Sequence, residues 1–308
     1  MVTAQSRLRR IVKDYARHKF LFVLLLPGLA AIILFQYVPM YGIVMGFQNF
    51  KIKQGILGSE WVGFQHFIRI FNNARTLNAF MNSLYISLYS FAVGFPATII
   101  FALLLNEIRH MKTKKFFQSL SYLPFFLSWV VVSTFVTKML SSQRFVNTSL
   151  TFLGLSKVQF MIEPVWFKTI LVFSGLWKGI GWGSVIYMAA ISGTSAEQYE
   201  AAMIDGANRF QRVLHVTFPA ISHVVTIVLI FSFSGLFGGG DFEQIMNLVN
   251  EQTLRAGENI STLTYSLGIE QLQFSLSTAF GFLNSVIAVI LLTLANQIAK
   301  RFTEYTIW

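Results

Sequence analysis

Residues 192–221 read SGTSAEQYEAAMIDGANRFQRVLHVTFPAI and lie between two long apolar runs. Thr194 and Glu197 have the spacing of a capping box, which predicts a helix that begins near Ser195. Acidic side chains follow along this helix, and Gly206 can end it in a left-handed conformation. The segment therefore predicts a short, partly acidic helix in a polar loop.

A second helix is predicted directly after Gly206. Phe210, Val213, Leu214 and Thr217 are spaced i, i+3, i+4 and i+7, which places them on one face of a helix. Pro219 then leads into the next apolar run. The first helix would lie crosswise at a membrane surface, supported by the second, in a position to bind a partner protein.

The composition on either side of this loop indicates a membrane protein. Hydrophobic residues make up 54% of the chain and charged residues 12%, against about a quarter charged in a typical soluble domain. A spanning helix needs about 20 mostly apolar residues. We expect an all-α polytopic membrane protein with six transmembrane helices, at 20–45, 83–105, 116–138, 167–191, 220–237 and 276–299.

The distribution of basic residues predicts the topology. They concentrate in 1–19, in 109–115 and at Lys300 and Arg301, which places the N- and C-termini and the 192–219 loop in the cytoplasm. The net charge of +11 is therefore assigned to the flanks of membrane helices rather than to nucleic acid. The first apolar run is longer than a signal-peptide core, so we interpret it as an uncleaved span.

The segments outside the spans are short. We expect a basic cytoplasmic N-terminus at 1–19, an extracytoplasmic loop at 46–82 and a cytoplasmic tail at 300–308. Within the extracytoplasmic loop, Trp61–Phe71 is amphipathic at helical spacing and predicts a helix along the outer membrane interface.

The 192–219 loop resembles the EAA signature of bacterial ABC importer permeases, which consists of Glu-Ala-Ala, a Gly four residues later and a Leu-Pro or Phe-Pro pair. Here Phe218-Pro219 supplies the pair at the expected distance. The resemblance implies the type I ABC importer permease fold over 83–299, with 192–219 as the cytoplasmic coupling loop. It also implies that the residues which contact the ATPase are Tyr199, Glu200, Ala201, Ala202, Asp205 and Gly206.

Four further motifs resemble the carbohydrate-type branch of that family: Trp61-Val62-Gly63-Phe64, Asn82-Ser83-Leu84, Tyr122-Leu123-Pro124, and Trp177-Lys178 with Gly181. Within that branch, the chain resembles LplB-like permeases of complex oligosaccharide and polysaccharide importers, including those for uronate-containing polysaccharides. The resemblance implies a multi-pass protein of the bacterial inner (cytoplasmic) membrane.

The resemblance also implies the partners. A Gly-Lys dipeptide is absent, so the chain has no phosphate-binding loop, and we expect a transport subunit rather than an enzyme, with ATP hydrolysis in another chain. We expect no bound cofactor, with ATP and Mg used by two separate ATPase subunits. The expected complex also contains a second permease subunit, homologous to this chain but different from it, so that the two form a heterodimer. An extracytoplasmic solute-binding protein and a sugar or oligosaccharide complete the complex, which contacts membrane lipid but no nucleic acid.

Residues for the solute are sought among polar and aromatic side chains of the spans. Lys178 lies near mid-span, where a charge costs roughly 2.5–3.5 kcal/mol on insertion scales. Either backbone carbonyls or a partner-chain acid satisfy it, or it contacts the solute, which would favour an acidic sugar. The candidate pathway residues are Trp177, Lys178, Trp182, Tyr187, Gln244 and Asn284.

Other classes of function are less favoured. The chain has no cysteine, and its five histidines show no metal-ligand spacing, so we expect neither a metal site nor a catalytic site. A secondary transporter would need coupling charges within the spans and usually an internal repeat. An ABC importer for amino acids or peptides shares the EAA loop but lacks the W-x-G-F segment, and it remains the main alternative.

Overall fold

The computed structural model describes residues 18–235 and 240–302. The predicted cytoplasmic segments at 1–19 and 300–308 therefore lie largely outside the described residues. The regular structure of the described chain is helical apart from two antiparallel strands of two residues each, β1 (Gln48–Asn49) and β2 (Glu60–Trp61). The predicted all-α architecture is thus confirmed.

Five helical segments are long and apolar enough to cross a membrane, and a bent pair supplies a sixth. We name them spans 1 to 6. Their bounds are Lys19–Phe47, Ala74–Asn106, the pair Met111–Phe126 and Trp129–Phe152, Pro164–Ser192, Arg209–Phe233 and Phe274–Ile298. Span 2 begins at Ala74 rather than near residue 83, because the side chain of Asn73 caps it by accepting from the backbone N–H of Arg75 and Thr76.

Span 3 is broken, which the prediction of one helix over 116–138 did not anticipate. Its first half is Met111–Tyr122, extended by a 3₁₀ turn at Leu123–Phe126, and its second half is Trp129–Leu140. The bend between the halves is 102°. Leu127 and Ser128 are extended, and the Ser128 side chain accepts from the N–H of Val131, so Ser128 begins a new helix.

Two turns of π-helix precede prolines in the same way. The π turn Ile33–Tyr37 in span 1 is followed by Val38 and Pro39, and the π turn Val213–Thr217 in span 5 is followed by Phe218 and Pro219. Proline lacks an N–H and its ring collides with the carbonyl four residues earlier. The wider i→i+5 turn moves that carbonyl away, so both helices continue through the proline.

Span 2 lies at the centre of the packing. Ala79 belongs to a buried cluster with span 6, Ile86 to a cluster with span 4, and Ile99 to a cluster with spans 4 and 5. Span 1, by contrast, buries no residue before Gly46, which packs against the backbone of Ala279 in span 6. A helix that is apolar all round suits contact with lipid, so span 1 stands at the periphery of the bundle.

The segment between spans 1 and 2 differs in part from its prediction. Trp61 lies in β2 and stacks on Phe47 at 5.7 Å between ring centroids, so the predicted helix Trp61–Phe71 is too long. The helix is Gln65–Phe71, and a single turn at Gly55–Gly58 precedes β2. Gly63 has φ +59° and makes the turn between β2 and the helix.

The segment between spans 5 and 6 forms short helices that cover the end of span 2. They are Phe242–Leu248, Leu254–Gly257 and Ile260–Tyr265, followed by a π turn at Ser266–Glu270. Gly257 fits because a side chain there would overlap the ring of buried Phe167. We call this segment, residues 241–270, the cap.

Candidate functional site

The helix of the 192–219 loop is Ala196–Ile204, here called the loop helix, and Ser195 is its N-cap. The Ser195 hydroxyl accepts from the N–H of Glu197, so the predicted capping box of Thr194 and Glu197 is wrong. Thr194 instead belongs to the end of span 4, because its N–H donates to the carbonyl of Ile191. Its own hydroxyl is buried without a partner among the described residues.

The end of the loop helix confirms the role predicted for Gly206. This residue has φ +77°, in the left-handed region that favours glycine. Its N–H donates to the carbonyl of Met203, and the N–H of Ala207 donates to the carbonyl of Ala202. These two hydrogen bonds form a Schellman motif, which ends the helix and reverses the chain.

The second helix of the loop departs from its predicted face. It begins with a capping box between Asn208 and Gln211, whose spacing in the sequence is itself a signal for a helix start. The π turn that follows changes the spacing, so the four residues expected to share a face do not share an environment. Phe210 is 74% exposed and Leu214 is half exposed, whereas Thr217 is buried.

A hydrogen bond joins the two parts of the loop. The phenolic oxygen of Tyr199 lies 2.9 Å from the hydroxyl oxygen of Thr217, in the π turn of span 5. The opposite side of the loop helix is open: Glu200 and Asp205 are exposed, and Ile204 is 86% exposed. The loop helix is therefore held from one side and presents acidic and apolar side chains on the other.

The six predicted pathway residues do not form one surface. Lys178 and Trp182 are one helical turn apart on span 4 and face the break of span 3. Tyr187 lies nine residues beyond Lys178, about two and a half turns, and so is on the opposite face. It is buried among spans 2, 4 and 5.

The surroundings of Lys178 include a backbone carbonyl and two aromatic rings. Its ammonium donates to the carbonyl of Phe125 over 2.9 Å and lies 5.2 Å and 5.3 Å from the ring centroids of Phe125 and Trp129. Of the two alternatives, the carbonyl contact is thus observed. Trp182 stacks on the same Phe125 at 4.8 Å, and Trp177 stacks on Phe135 at 5.9 Å.

Sequence reasoning missed a cavity of about 400 Å³ on the Tyr187 face of span 4. It lies between spans 2, 4 and 5, and Gly94, Gly183 and Gly235 leave room for it. The hydroxyl groups in its wall can donate to or accept from a sugar. They belong to Ser87, Ser90, Thr98, Tyr187 and Ser232.

Gln244 and Asn284 differ in their hydrogen bonding. The Gln244 amide is buried and donates to the carbonyl of Leu171 and to the hydroxyl of Ser174, so it fixes the cap to span 4. The buried amide oxygen of Asn284 in span 6 has no partner among the described residues. Gln244 therefore has a structural role in the observed state, while Asn284 keeps a free acceptor.

Three groups of contacts that sequence reasoning also missed hold the cap. Trp129, at the start of the second half of span 3, donates its indole N–H to the carboxylate of Asp241 over 2.5 Å. Arg75 forms a two-pronged ion pair with Glu258, at 2.6 and 2.8 Å. Asn82 and Ser83, noted only as part of a motif, bond the backbone of the cap at residues 255–260.

Comparison with known proteins identifies the family. The family model of binding-protein-dependent transport system inner membrane components matches residues 94–304. The chain belongs to this family. It is accordingly an inner-membrane transport subunit rather than an enzyme, as expected from the EAA loop.

Two curated relatives from Bacillus subtilis (strain 168) match nearly the whole chain of this permease. The polygalacturonan/rhamnogalacturonan transport system permease protein YteP is 37% identical over 309 residues, covering 100% of this chain and 96% of YteP. Protein LplB is 36% identical over 289 residues, covering 94% of this chain and 91% of LplB.

Solved structures show the same fold for the permease. One is a bacterial ABC transporter involved in the import of the acidic polysaccharide alginate, with a TM-score of 0.87 and 34% identity over 96% of this chain and 100% of that chain. The other is a bacterial alginate ABC transporter in complex with an alginate pentasaccharide-bound periplasmic protein, with a TM-score of 0.88 and 33% identity. The type I ABC importer permease fold is thus confirmed.

Proposed function

We propose that this permease forms half of the pathway through which an ATP-driven importer takes up a sugar or oligosaccharide. The names of its relatives support the solute class, since YteP is a polygalacturonan/rhamnogalacturonan transport system permease and the alginate transporter is involved in the import of an acidic polysaccharide. An extracytoplasmic binding protein delivers the solute in this proposal, as the complex with the periplasmic protein suggests. Two ATPase subunits and a second permease complete the assembly, and ATP and Mg bind to the ATPases.

The observation that carries the proposal is the shape of the loop helix. It ends in a Schellman motif at Gly206, it is tied to span 5 through Tyr199 and Thr217, and its outer side is exposed. In this proposal the exposed side, with Glu200 and Asp205, binds a groove of the ATPase in the cytoplasm. Movement of the ATPase then reaches span 5 through the hydrogen bond and span 4 through the short connection at residues 193–195.

The cavity on the Tyr187 face of span 4 is one candidate for the solute path within this subunit, and the opposite face, which carries Lys178, is the alternative. Sugars are bound by hydrogen bonds to hydroxyls and by contact with aromatic faces, and Tyr187 supplies both kinds of group. The free acceptor of Asn284 is a second candidate contact. Both remain proposals, as does the placement of the N- and C-termini in the cytoplasm.

Co-purification from solubilised membranes tests the proposal. Wild-type permease is expected to retain an ATPase and a second permease, and Glu200→Arg is expected to lose the ATPase by reversing a charge on the exposed side of the loop helix. Gly206→Pro is expected to do the same by removing the N–H that bonds Met203. Glu163→Arg is the matched control, because Glu163 is exposed at the other end of span 4.

The possible results separate the competing functions. Loss of the ATPase in both loop variants, but not in the Glu163 control, supports the importer. A wild-type chain that purifies alone contradicts the importer and favours a secondary transporter. An ATPase that remains bound to both loop variants contradicts the role of the loop helix in binding the ATPase. Thermal-shift screening of the separately purified binding protein then separates sugars from amino acids and peptides.

A further inference from the structure

Lys178 is a cation at the centre of a membrane span with no anionic partner among the described residues. It lies at the midpoint of the helix Pro164–Ser192. Across residues 18–235 and 240–302, the ion pair of Arg75 with Glu258 is the salt bridge observed, and no carboxylate lies within ion-pairing distance of Lys178. Ionisable residues inside a membrane face the bundle interior or a wet cavity rather than lipid, so this face of span 4 is a candidate for contact with solute.

The aromatic rings around Lys178 form a surface suited to a sugar ring. Trp182 is 49% exposed although one face of its indole stacks on Phe125. The ammonium of Lys178 lies over the face of Trp129, and the indole N–H of Trp129 donates to Asp241. The ammonium and the Asp241 carboxylate thus contact the same indole but do not form an ion pair with each other. The ammonium of Lys178 and the exposed indole of Trp182 both contact the ring of Phe125, so this surface offers a charge for a carboxylate and a flat apolar face for the sugar to which it is attached.

The carbonyl bonded to Lys178 lies at the end of the first half of span 3. Phe125 is in the 3₁₀ turn that ends this half. At such a helix end, carbonyl groups lack helical partners and the helix dipole has its negative end. Lys178 thus supplies a donor that stabilises the break. A neutral carbonyl is a weaker partner for an ammonium than a carboxylate, so an anion that reaches Lys178 can replace it.

We propose that Lys178 recognises the carboxylate of an anionic sugar unit and releases the carbonyl of Phe125 when it does so. This deepens the proposed function and rests on it, because it assigns a residue that selects solutes by charge. Release of Phe125 removes one of the contacts that hold the first half of span 3 against span 4. Binding of an acidic solute therefore loosens the break, and binding of a neutral solute does not.

Equilibrium binding to the complete solubilised transporter, without its binding protein, tests this proposal. The probes are labelled trigalacturonate and trimannuronate, each compared with its methyl ester, which keeps the sugar and removes the charge. Wild type is expected to prefer an acid over its ester by about 10-fold or more, and Lys178→Gln to lower that ratio to about 1. Lys178→Arg is expected to retain a preference, since it keeps the charge.

Lys168→Gln is the matched control, because Lys168 is on the same helix and lies over the ring of Tyr85 instead. It is expected to keep the wild-type ratio. The absence of cysteine also allows a single spin label at Phe126→Cys, next to the break, whose mobility is expected to rise with the acid but not with the ester. In Lys178→Gln the label is expected to be equally mobile with and without the acid.

Several outcomes overturn the proposal. A wild-type transporter that binds acid and ester equally, or a Lys178→Gln variant that keeps the preference, removes Lys178 from charge recognition. An equal loss of both probes, or loss of the second permease on purification, assigns Lys178 a structural role instead. If wild type retains no ATPase, the importer function fails and this proposal fails with it, whereas a retained ATPase without charge preference contradicts this proposal alone.

Discussion

The phenolic oxygen of Tyr199 and the hydroxyl oxygen of Thr217 lie 2.9 Å apart and join the loop helix to span 5. Thr217 is almost fully buried and sits in the π turn that precedes Pro219. The contact therefore links the exposed part of the loop to the point where span 5 has its least regular backbone. Movement of the loop helix would reach span 5 at that point.

We expect Tyr199→Phe to weaken the link between the loop helix and span 5. Removal of the phenolic hydroxyl leaves Thr217 with a long contact of 3.4 Å to the carbonyl of Arg212. A lost hydrogen bond of this kind costs about 0.5–1.5 kcal/mol. A double-mutant cycle with Thr217→Val, followed by thermal unfolding in detergent, measures the coupling; additive effects would mean that the two hydroxyls do not interact.

Gly206→Ala is expected to destabilise the loop through backbone conformation alone. A Cβ at Gly206 would contact no other atom, so only the left-handed φ of +77° opposes the substitution. The expected cost is roughly 1–2 kcal/mol. Gly206→Asn is the matched control and should cost less, because asparagine adopts this conformation more readily. Equal losses of ATPase retention in the two variants would contradict a conformational cause.

Gly181→Ala is expected to separate the first half of span 3 from span 4. A Cβ on buried Gly181 would overlap the carbonyl of Ser121, which is backbone and cannot rotate away. Overpacking of this kind typically costs about 1–3 kcal/mol. Gly179→Ala is the control on the same helix, since its Cβ would meet no atom. Thermal unfolding measures the stability of both variants, and Gly179→Ala is expected to unfold at the higher temperature.

Glu258→Gln is expected to loosen the cap over span 2. The Glu258 carboxylate is buried and accepts from two nitrogens of Arg75, while Arg75 itself is partly exposed and can be rehydrated. The loss of charge in this hydrogen-bonded pair is expected to cost about 1.5–3 kcal/mol at most. Faster proteolysis within the cap would show that the cap has loosened. Glu243→Gln, at an exposed position of the cap, is the control and is expected to leave the rate of proteolysis unchanged.

The spans were predictable because the hydrophobicity that identifies them is summed over some 20 residues. Length and apolar composition place spans 1, 4 and 6 within a few residues, whereas span 2 begins at Ala74 rather than 83 and span 5 at Arg209 rather than 220. The left-handed conformation of Gly206 was equally predictable from the sequence, because the reversal of the chain depends on local backbone conformation. The EAA loop could also be recognised, because its residues are close together in the sequence.

The break in span 3 was not predictable from these patterns. Composition runs apolar through Leu127 and Ser128, and the break is held by groups distant in sequence: Lys178, which bonds Phe125, and Asp241, which bonds Trp129. The predicted pathway residues turned out to lie in different environments for a related reason. Aromatic and polar types mark candidates, but the face of span 4 that each occupies decides its environment, and this separated Tyr187 from Lys178.

The contacts between span 2 and the cap bear on how the chain is made. Asn82 and Ser83 are buried in the helix, yet their cap partners at residues 255–260 are translated more than 170 residues later. Until then, the Asn82 amide and Arg75 must find temporary partners in the translocon, in water or in lipid head groups, whereas the Ser83 hydroxyl donates to Ala79 in its own helix. A ribosome-bound chain that ends before residue 255 would thus hold span 2 in an unfinished state, in which insertion factors have time to act.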